Sequence, residues 1–122
     1  GVVKMTEKIR NGIHTRWYEN GRKRSEITYK DGKRGDGLHT YWYENGQKKM
    51  SVTEKDGKSN GLSTHWYENG NKRAEGTYKD GKEDGLHTHW YENGNKMVVA
   101  TFKDGEVVNV IGKWNEDGSV ME

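Results

Sequence analysis

The chain is dominated by one five-residue stretch, Trp66-Tyr67-Glu68-Asn69-Gly70, which also occurs unchanged at residues 17–21, 42–46 and 90–94. Trp114 begins a degenerate fifth copy, and successive Trp residues of the five copies are 25, 24, 24 and 24 positions apart. A second motif, Lys-Asp-Gly, follows each complete copy at residues 30–32, 55–57, 79–81 and 103–105. Self-similarity at a fixed period of this length is typical of tandem-repeat proteins.

Both motifs end in dipeptides that favour tight turns. Asn-Gly and Asp-Gly are strong hairpin signals because Gly adopts positive φ without steric cost, and the segments between them have the length of strands. Each repeat therefore predicts two antiparallel strands. The expected fold is all-β: a single elongated, twisted or curled antiparallel meander sheet of about eleven strands with no helix.

We expect one domain, because 122 residues leave no room for a second one. Its repeat units lie near residues 12–36, 37–60, 61–84 and 85–108, with partial caps at 1–11 and 109–122. The single 25-residue spacing is attributed to one extra residue near Gly35, in a turn, where insertions are usually tolerated. Val2 to Lys8 resembles the second half of a truncated repeat.

Loop length decides which residues share a face of the sheet. A three-residue loop at 68–70 pairs Tyr67 with Asn71 and places Thr64 opposite Ala74, whereas a two-residue turn would place Trp66 opposite Arg73. We favour the three-residue loop because it gathers the apolar residues on one face, and a slip of one residue would exchange the faces. The predicted structural core on that face is Trp17, Trp42, Trp66, Trp90, Trp114, Leu38, Leu62 and Leu86, joined by Ile13, Thr15, Ile27, Tyr29, Met50, Val52, Ala74, Tyr78, Val98, Ala100, Phe102 and Val110.

The opposite face is predicted to be polar and aromatic. It collects one Tyr per repeat with histidines and arginines, the residue types that protein interfaces favour. The alternative is that each Tyr packs against a Lys stem across the turn. The predicted binding residues are Tyr18, Tyr43, Tyr67, Tyr91, His39, His65, Arg73, His87 and His89, and the same face carries His14, Arg16, Arg24, Glu26 and Glu75.

Neither a metal site nor catalysis is expected. His65 and His89 occupy equivalent positions in successive repeats, two strands or about 10 Å apart, with Arg73 between them, which is too far for one ion. We therefore predict solvated histidines and no cofactor. Catalytic constellations are asymmetric, whereas the notable residues here recur in every repeat, so we predict no enzyme and no catalytic residue.

The amino-acid composition argues against some classes of binding partner for this chain. The 21 basic and 19 acidic residues are mixed along the chain, so no basic run is available for nucleic acid. The chain has no cysteine, and no stretch approaches the roughly 20 apolar residues of a membrane span. Gly1-Val2-Val3-Lys4 does not resemble a signal peptide, although a chain cleaved after one would look the same. The compartment stays open, with the cytoplasm favoured.

One chain of this length has no second layer to cover an apolar sheet face. Either the sheet curls until the Trp rings pack on one another, or a second copy or another protein covers them.

The unit Gly-Leu-x-x-x-Trp-Tyr-Glu-Asn-Gly-x-Lys, followed by Tyr-Lys-Asp-Gly-Lys, resembles the variant form of the MORN (membrane occupation and recognition nexus) repeat found in bacteria. The resemblance covers about residues 2–118. It implies a series of β-hairpins that serves as a protein-interaction scaffold, and many proteins of this kind are labelled antitoxins of toxin–antitoxin systems. Glu54 and Asn115 depart from the pattern, because the other repeats have aromatic residues there.

The leading functional hypothesis is a non-enzymatic scaffold for protein–protein interaction, with an antitoxin or immunity-type partner implied by the resemblance. The alternatives are peripheral lipid binding or carbohydrate binding through the aromatic rings, and self-association as a homodimer. Near-neutral net charge counts against lipid binding, because attraction to anionic membranes depends on clustered Lys or Arg.

Overall fold

A computed structural model describes residues 11–122. Over this range the secondary structure consists of strands and turns, without a helix. The ten strands are β1 (Gly12–Trp17), β2 (Lys23–Lys30), β3 (Lys33–Arg34), β4 (Gly37–Trp42), β5 (Lys48–Lys55), β6 (Lys58–Trp66), β7 (Lys72–Lys79), β8 (Lys82–Trp90), β9 (Lys96–Lys103) and β10 (Glu106–Lys113). The predicted all-β fold is confirmed, and the further strand segment predicted between Val2 and Lys8 lies outside the described residues.

All ten strands belong to one antiparallel sheet. Its order is β1-β2-β4-β5-β6-β7-β8-β9-β10, and the two-residue strand β3 pairs with β2. Neighbours in the sheet are neighbours in sequence, as predicted for a meander. Because the sheet is a single layer, the side chains of the described repeats are buried by residues of their own and nearby strands.

The Asn-Gly turns have the three-residue loop that the sequence predicts. The Tyr67 N–H donates to the Asn71 carbonyl at 2.8 Å, and the Gly70 N–H donates to the Tyr67 carbonyl at 3.0 Å. Gly70 adopts a φ of 92°, which only Gly tolerates without strain. The same pair of bonds recurs in every copy, including the degenerate one at residues 115–119.

The Asn of each motif has two hydrogen-bonding roles. Asn69 Oδ1 accepts from the Asn71 N–H at 2.9 Å, which closes the turn. Its Nδ2 donates to the Glu92 carbonyl at 2.9 Å, which ties the turn to the corresponding turn of the next repeat. Asn20, Asn45 and Asn93 make both bonds as well. The Asn is therefore both a turn former and a link between repeats.

A β-bulge next to this turn overturns the predicted register. Trp66 pairs with Lys72 but His65 pairs with Ala74, so Arg73 is an extra residue on β7. Thr64 consequently lies opposite Glu75, and the prediction that it faces Ala74 is wrong. The three other complete repeats have the same shift beside Trp17, Trp42 and Trp90. Each bulge exchanges the two faces of the second strand, which is the physical reason for the error.

We call the two sides of the sheet the histidine face and the leucine face. The histidine face carries the expected His14, Arg16, His39, His65, His87 and His89, but also residues predicted for the apolar side: Ile27, Tyr29, Met50, Val52, Ala74, Tyr78, Val98, Ala100, Phe102 and Val110. The leucine face carries Ile13, Leu38, Leu62 and Leu86 with the opposing threonines, and also Glu26 and Glu75, which were predicted for the other side.

The core is small and largely polar. Its buried apolar residues are Ile27, Val99 and Ala100, and its buried polar residues are Ser25, His39, Thr40, Ser63, Thr64 and His87. Leu38, Leu62 and Leu86 are between 50% and 59% exposed, so the prediction that they form the core is wrong. No second layer from residues 11–122 packs on the leucine face, and the three Leu side chains therefore stay largely in solvent.

The Trp rings pack against lysines of the preceding repeat. Lys48 Nζ lies 5.8 Å from the centre of the Trp66 ring, and Lys72 Nζ lies 5.9 Å from that of Trp90. The pairs formed by Lys23 with Trp42 and by Lys96 with Trp114 are equivalent. Trp17 is 58% exposed, while the four other Trp side chains are half-buried. The Trp series therefore joins repeats through cation–π contacts and leaves ring area accessible.

Candidate binding face

The Tyr of each motif links one repeat to the next. Tyr67 Oη donates to the Trp90 carbonyl at 2.7 Å, and the same bond joins Tyr18 to Trp42, Tyr43 to Trp66 and Tyr91 to Trp114. The four Tyr side chains are half-buried. The predicted binding residues Tyr18, Tyr43, Tyr67 and Tyr91 therefore have a structural role, which the repeat pattern alone does not reveal.

A basic side chain lies over three of these Tyr rings. The distances from the cationic centre to the ring centre are 5.8 Å for Arg24 and Tyr18, 5.7 Å for Lys49 and Tyr43, and 5.8 Å for Arg73 and Tyr67. We call Arg24, Lys49 and Arg73 the cation stripe. All three are the extra residues of their bulges and are exposed. The fourth repeat has Met97 at this position, where the stripe ends.

The cation stripe has no acidic partner within residues 11–122, since none of its members forms an ion pair there. The preceding lysines point to the leucine face, where Lys23 pairs with Glu26 at 2.5 Å and Lys72 pairs with Glu75 at 2.9 Å. The bulge thus separates two consecutive basic residues onto opposite faces. Lys23 and Lys72 are neutralised within their repeats, whereas Lys48 has Ser51 in place of the Glu and forms no ion pair within residues 11–122.

His65 and His89 flank a hollow beside Arg73. The two histidines lie on either side of Ala74, whose small side chain leaves a hollow of about 380 Å³ that Arg73 and Tyr78 also line. Burial lowers the pKa of His65, and the charge of Arg73 and the neighbouring His89 lower it further. Burial, His87 and Arg73 likewise lower the pKa of His89. Both imidazoles therefore require more acid than usual to become charged.

The expectation of solvated histidines is wrong for His39 and His87, which are 0% and 6% exposed. His87 Nε2 donates to the Thr77 carbonyl at 2.7 Å, and its ring lies edge-on between Tyr78 and Phe102 and fills the space over Gly76. Thr77 faces the three residues at 84–86, where the ladder between β7 and β8 is interrupted. The His87 imidazole supplies a hydrogen-bond donor to the Thr77 carbonyl at this interruption. His39 and His87, both predicted binding residues, are therefore buried beneath the surface.

The irregular repeat contains a polar cluster that the sequence analysis missed. Arg34 Nη2 donates to Tyr41 Oη at 2.7 Å and to Glu54 Oε2 at 2.8 Å, and Glu54 also contacts Nδ1 of His39. Burial opposes the charge of Arg34, but Tyr41 and Glu54 outweigh it and raise the pKa of the guanidinium. The His39 ring donates through Nε2 to the Gly35 carbonyl at 3.0 Å.

Two sequence signals could have indicated this cluster. Glu54 replaces an aromatic residue, and the extra residue near Gly35 divides the first strand of the repeat into β3 and β4, where β6 and β8 are continuous. Only Ser25 and Glu26 of β2 then pair with β4, and an open groove of about 1160 Å³ lies beside Lys33, Arg34 and Asp36. Glu54 and the segment around Gly35, the two departures from the repeat pattern, are therefore close together in the structure.

Within the described part of the chain, no group of three or more His, Cys, Asp or Glu side chains is placed to hold a metal ion. Residues 11–122 also contain no helix that is long and apolar enough to cross a membrane.

A single-layer meander of near-identical hairpins, linked by Tyr and Asn across repeat boundaries, defines a tandem β-hairpin repeat protein. The family model described as MORN repeat variant matches residues 10–31, 35–53, 59–80 and 83–104. These matches cover well over half of the sequence, and the chain belongs to the MORN repeat variant family. No curated protein matches it in sequence. The second match is shorter and covers residues 35–53. Arg34 and Glu54 lie just beyond its two ends, so these members of the polar cluster are outside the shared repeat.

Proposed function

We propose that this chain is a non-enzymatic scaffold for protein–protein interaction, and that its binding surface is the cation stripe with the adjacent histidine face. The observation that carries the proposal is the cation stripe. Arg24, Lys49 and Arg73 are exposed, each is stacked on a Tyr ring, and none is paired with a carboxylate within residues 11–122. Membership of a repeat family supports the scaffold role. An acidic partner surface would supply the missing carboxylates.

Energetics favour a binding role for the stripe over a stabilising one. An exposed cation–π contact contributes only about 0.5–1 kcal/mol, so the contacts of these three cations with Tyr rings add little stability. Arginine and tyrosine, in contrast, dominate the binding energy of many protein interfaces. The net charge of the chain is only +2, so attraction would be local to this row.

A narrower form of the proposal makes the partner a toxin or an immunity-type target. Its support is the resemblance of the repeat unit to bacterial proteins labelled antitoxins, and the stripe provides the surface that such a partner would need.

Affinity capture from extracts of the source cells tests the proposal with a matched pair of variants. The stripe variant carries Arg24→Gln, Lys49→Gln and Arg73→Gln. The control carries Lys23→Gln, Lys48→Gln and Lys72→Gln, which removes the same charge one position earlier but on the leucine face. We expect a captured protein that is retained by the control and lost by the stripe variant. Equal capture by both folded variants would contradict the proposal.

A second candidate function is self-association through the leucine face. Ile13, Leu38, Leu62 and Leu86 recur at every second strand of that face and are 50% to 71% exposed. Sedimentation velocity on the wild type and on a Leu38→Ser, Leu62→Ser, Leu86→Ser variant tests this candidate. A wild type that stays monomeric at high concentration would exclude it.

A further inference from the structure

We propose that the segment bound by the stripe is an amphipathic α-helix that lies across the strands and presents acidic residues one heptad apart. This inference rests on the proposed function, because it names the shape and charge pattern of the partner for the same surface. It follows from the spacing of the stripe and from the row of residues beside it.

The members of the stripe are separated by two strands each. Arg24 belongs to β2, Lys49 to β5 and Arg73 to β7, with β4 and β6 between them. At about 4.8 Å per strand, neighbouring cations are about 9.6 Å apart along the sheet. A helix advances about 10.5 Å in seven residues and turns by nearly two full turns. The heptad spacing of the carboxylates and the spacing of the cations therefore differ by about 1 Å. Flexible Arg, Lys and Glu side chains can adjust by this distance.

A β-strand peptide does not match this spacing. Its side chains on one side repeat every 6.6–6.8 Å or so, so a strand laid across the sheet would meet the first cation and miss the second. The hairpin period of the scaffold thus favours a helical partner over a β-strand.

A continuous row of residues on the histidine face borders Lys49 and Arg73 of the stripe. Tyr41, Met50, His65, Ala74, His89 and Val98 lie directly opposite one another on six successive strands. Most of the row is half-buried, with His89 more open, and it carries no carboxylate. It spans about 24 Å, the length of a helix of about 16 residues. The row provides a surface for the apolar side of the helix.

The surface of the row has a depression, which is the hollow over Ala74. Ala74 is flanked by His65 and His89, and the hollow of about 380 Å³ has the size for one large side chain of the helix. Arg73 lines the same hollow. The side chain in the hollow and a neighbouring carboxylate on Arg73 would then be bound side by side.

Fluorescence anisotropy with designed peptides tests the inference at about 0.15 M salt, where charges beyond roughly 8 Å are screened. The first peptide is a helix of about 17 residues with three Glu residues at heptad spacing beside an apolar stripe. The second has the same composition with its Glu residues distributed around the helix. The third has the order of the first with Pro residues that prevent helix formation.

We expect the first peptide to bind at least tenfold more tightly than the other two. The stripe variant should lose this binding, and the control with Lys23→Gln, Lys48→Gln and Lys72→Gln should keep it. Equal binding of all three peptides would overturn the helical partner while leaving an acidic protein partner in place. Absence of peptide binding, together with stripe-dependent binding to vesicles of phosphatidylserine and phosphatidylcholine, would overturn both this inference and the proposed function.

Discussion

Tyr67 Oη donates a 2.7 Å hydrogen bond to the carbonyl oxygen of Trp90, so each motif is bonded to the same motif one repeat later. A Tyr→Ala change at this position would disturb the repeat stack as well as the surface. For this reason the binding tests change the basic residues that lie over the Tyr rings and leave the rings in place.

Removing only the hydroxyl group measures the contribution of this bond. Tyr67→Phe keeps the ring beneath Arg73 and should lower the free energy of unfolding by about 1 kcal/mol, the usual value for a lost hydrogen bond. Urea unfolding followed by Trp fluorescence measures the change. Tyr78→Phe is the matched control, because Tyr78 is half-buried and its hydroxyl forms no hydrogen bond within residues 11–122. A loss as large in the control would refute the assignment.

Gly76 and His87 should behave as a coupled pair. A Cβ atom at Gly76 would collide with the His87 ring, so Gly76→Val should destabilise the protein by about 2–3 kcal/mol through overcrowding. His87→Ser should also destabilise it, because it leaves a cavity beside Tyr78 and Phe102.

The double variant copies the preceding repeat, in which Val52 lies opposite Ser63. We expect it to recover at least about 1 kcal/mol relative to the sum of the two single changes. Thermal unfolding of the four proteins gives this coupling energy, and strict additivity would show that the two positions are independent.

Protein stability should fall as the pH is lowered through the range in which His65 and His89 titrate. Burial and nearby positive charge lower the pKa of both side chains in the folded state, so the unfolded chain binds more protons below about pH 6.5. Their contribution is fully present above the unfolded pKa and is lost as the pH falls toward the folded pKa values.

Urea midpoints between pH 5 and pH 8 measure this dependence, and a His65→Asn, His89→Asn variant serves as the comparison. The slope of the wild type should exceed that of the variant. Identical slopes would mean that these two histidines do not carry the effect.

Glu54→Gln tests the polar cluster of the irregular repeat. Glu54 is 15% exposed and contacts both Arg34 and the buried His39, so the change should cost about 1–3 kcal/mol of stability. Glu26→Gln removes the more exposed partner of Lys23 and should cost less than about 1 kcal/mol. Chemical denaturation of both variants distinguishes the two cases, and a similar small loss in both would make the cluster an ordinary surface contact.

The structure brings some of the predicted binding residues together, and their binding role stays a prediction. The histidine face does bring His65, Arg73 and His89 together, as their shared position in the repeat indicated. Sequence reasoning left Arg24 and Lys49 out of the predicted binding set, although the recurring basic pairs at 23–24, 48–49 and 72–73 mark the bulge positions. It also missed the cluster around Arg34, because Glu54 and Gly35 meet only after the strands pair.

Sequence alone determined the repeat, the hairpin and the order of the strands. The three-residue loop was predicted correctly, although the face pattern that favoured it was wrong. These features are local, since a turn depends on the φ that Gly permits and a meander follows from short connections. The tertiary structure decided which side chains lie on which face of the sheet. The bulge at Arg73 arises from the pairing of β6 with β7, and one extra residue transfers every later side chain of β7 to the other side of the sheet. Which residues are buried, and which cations stay unpaired, depends on that transfer.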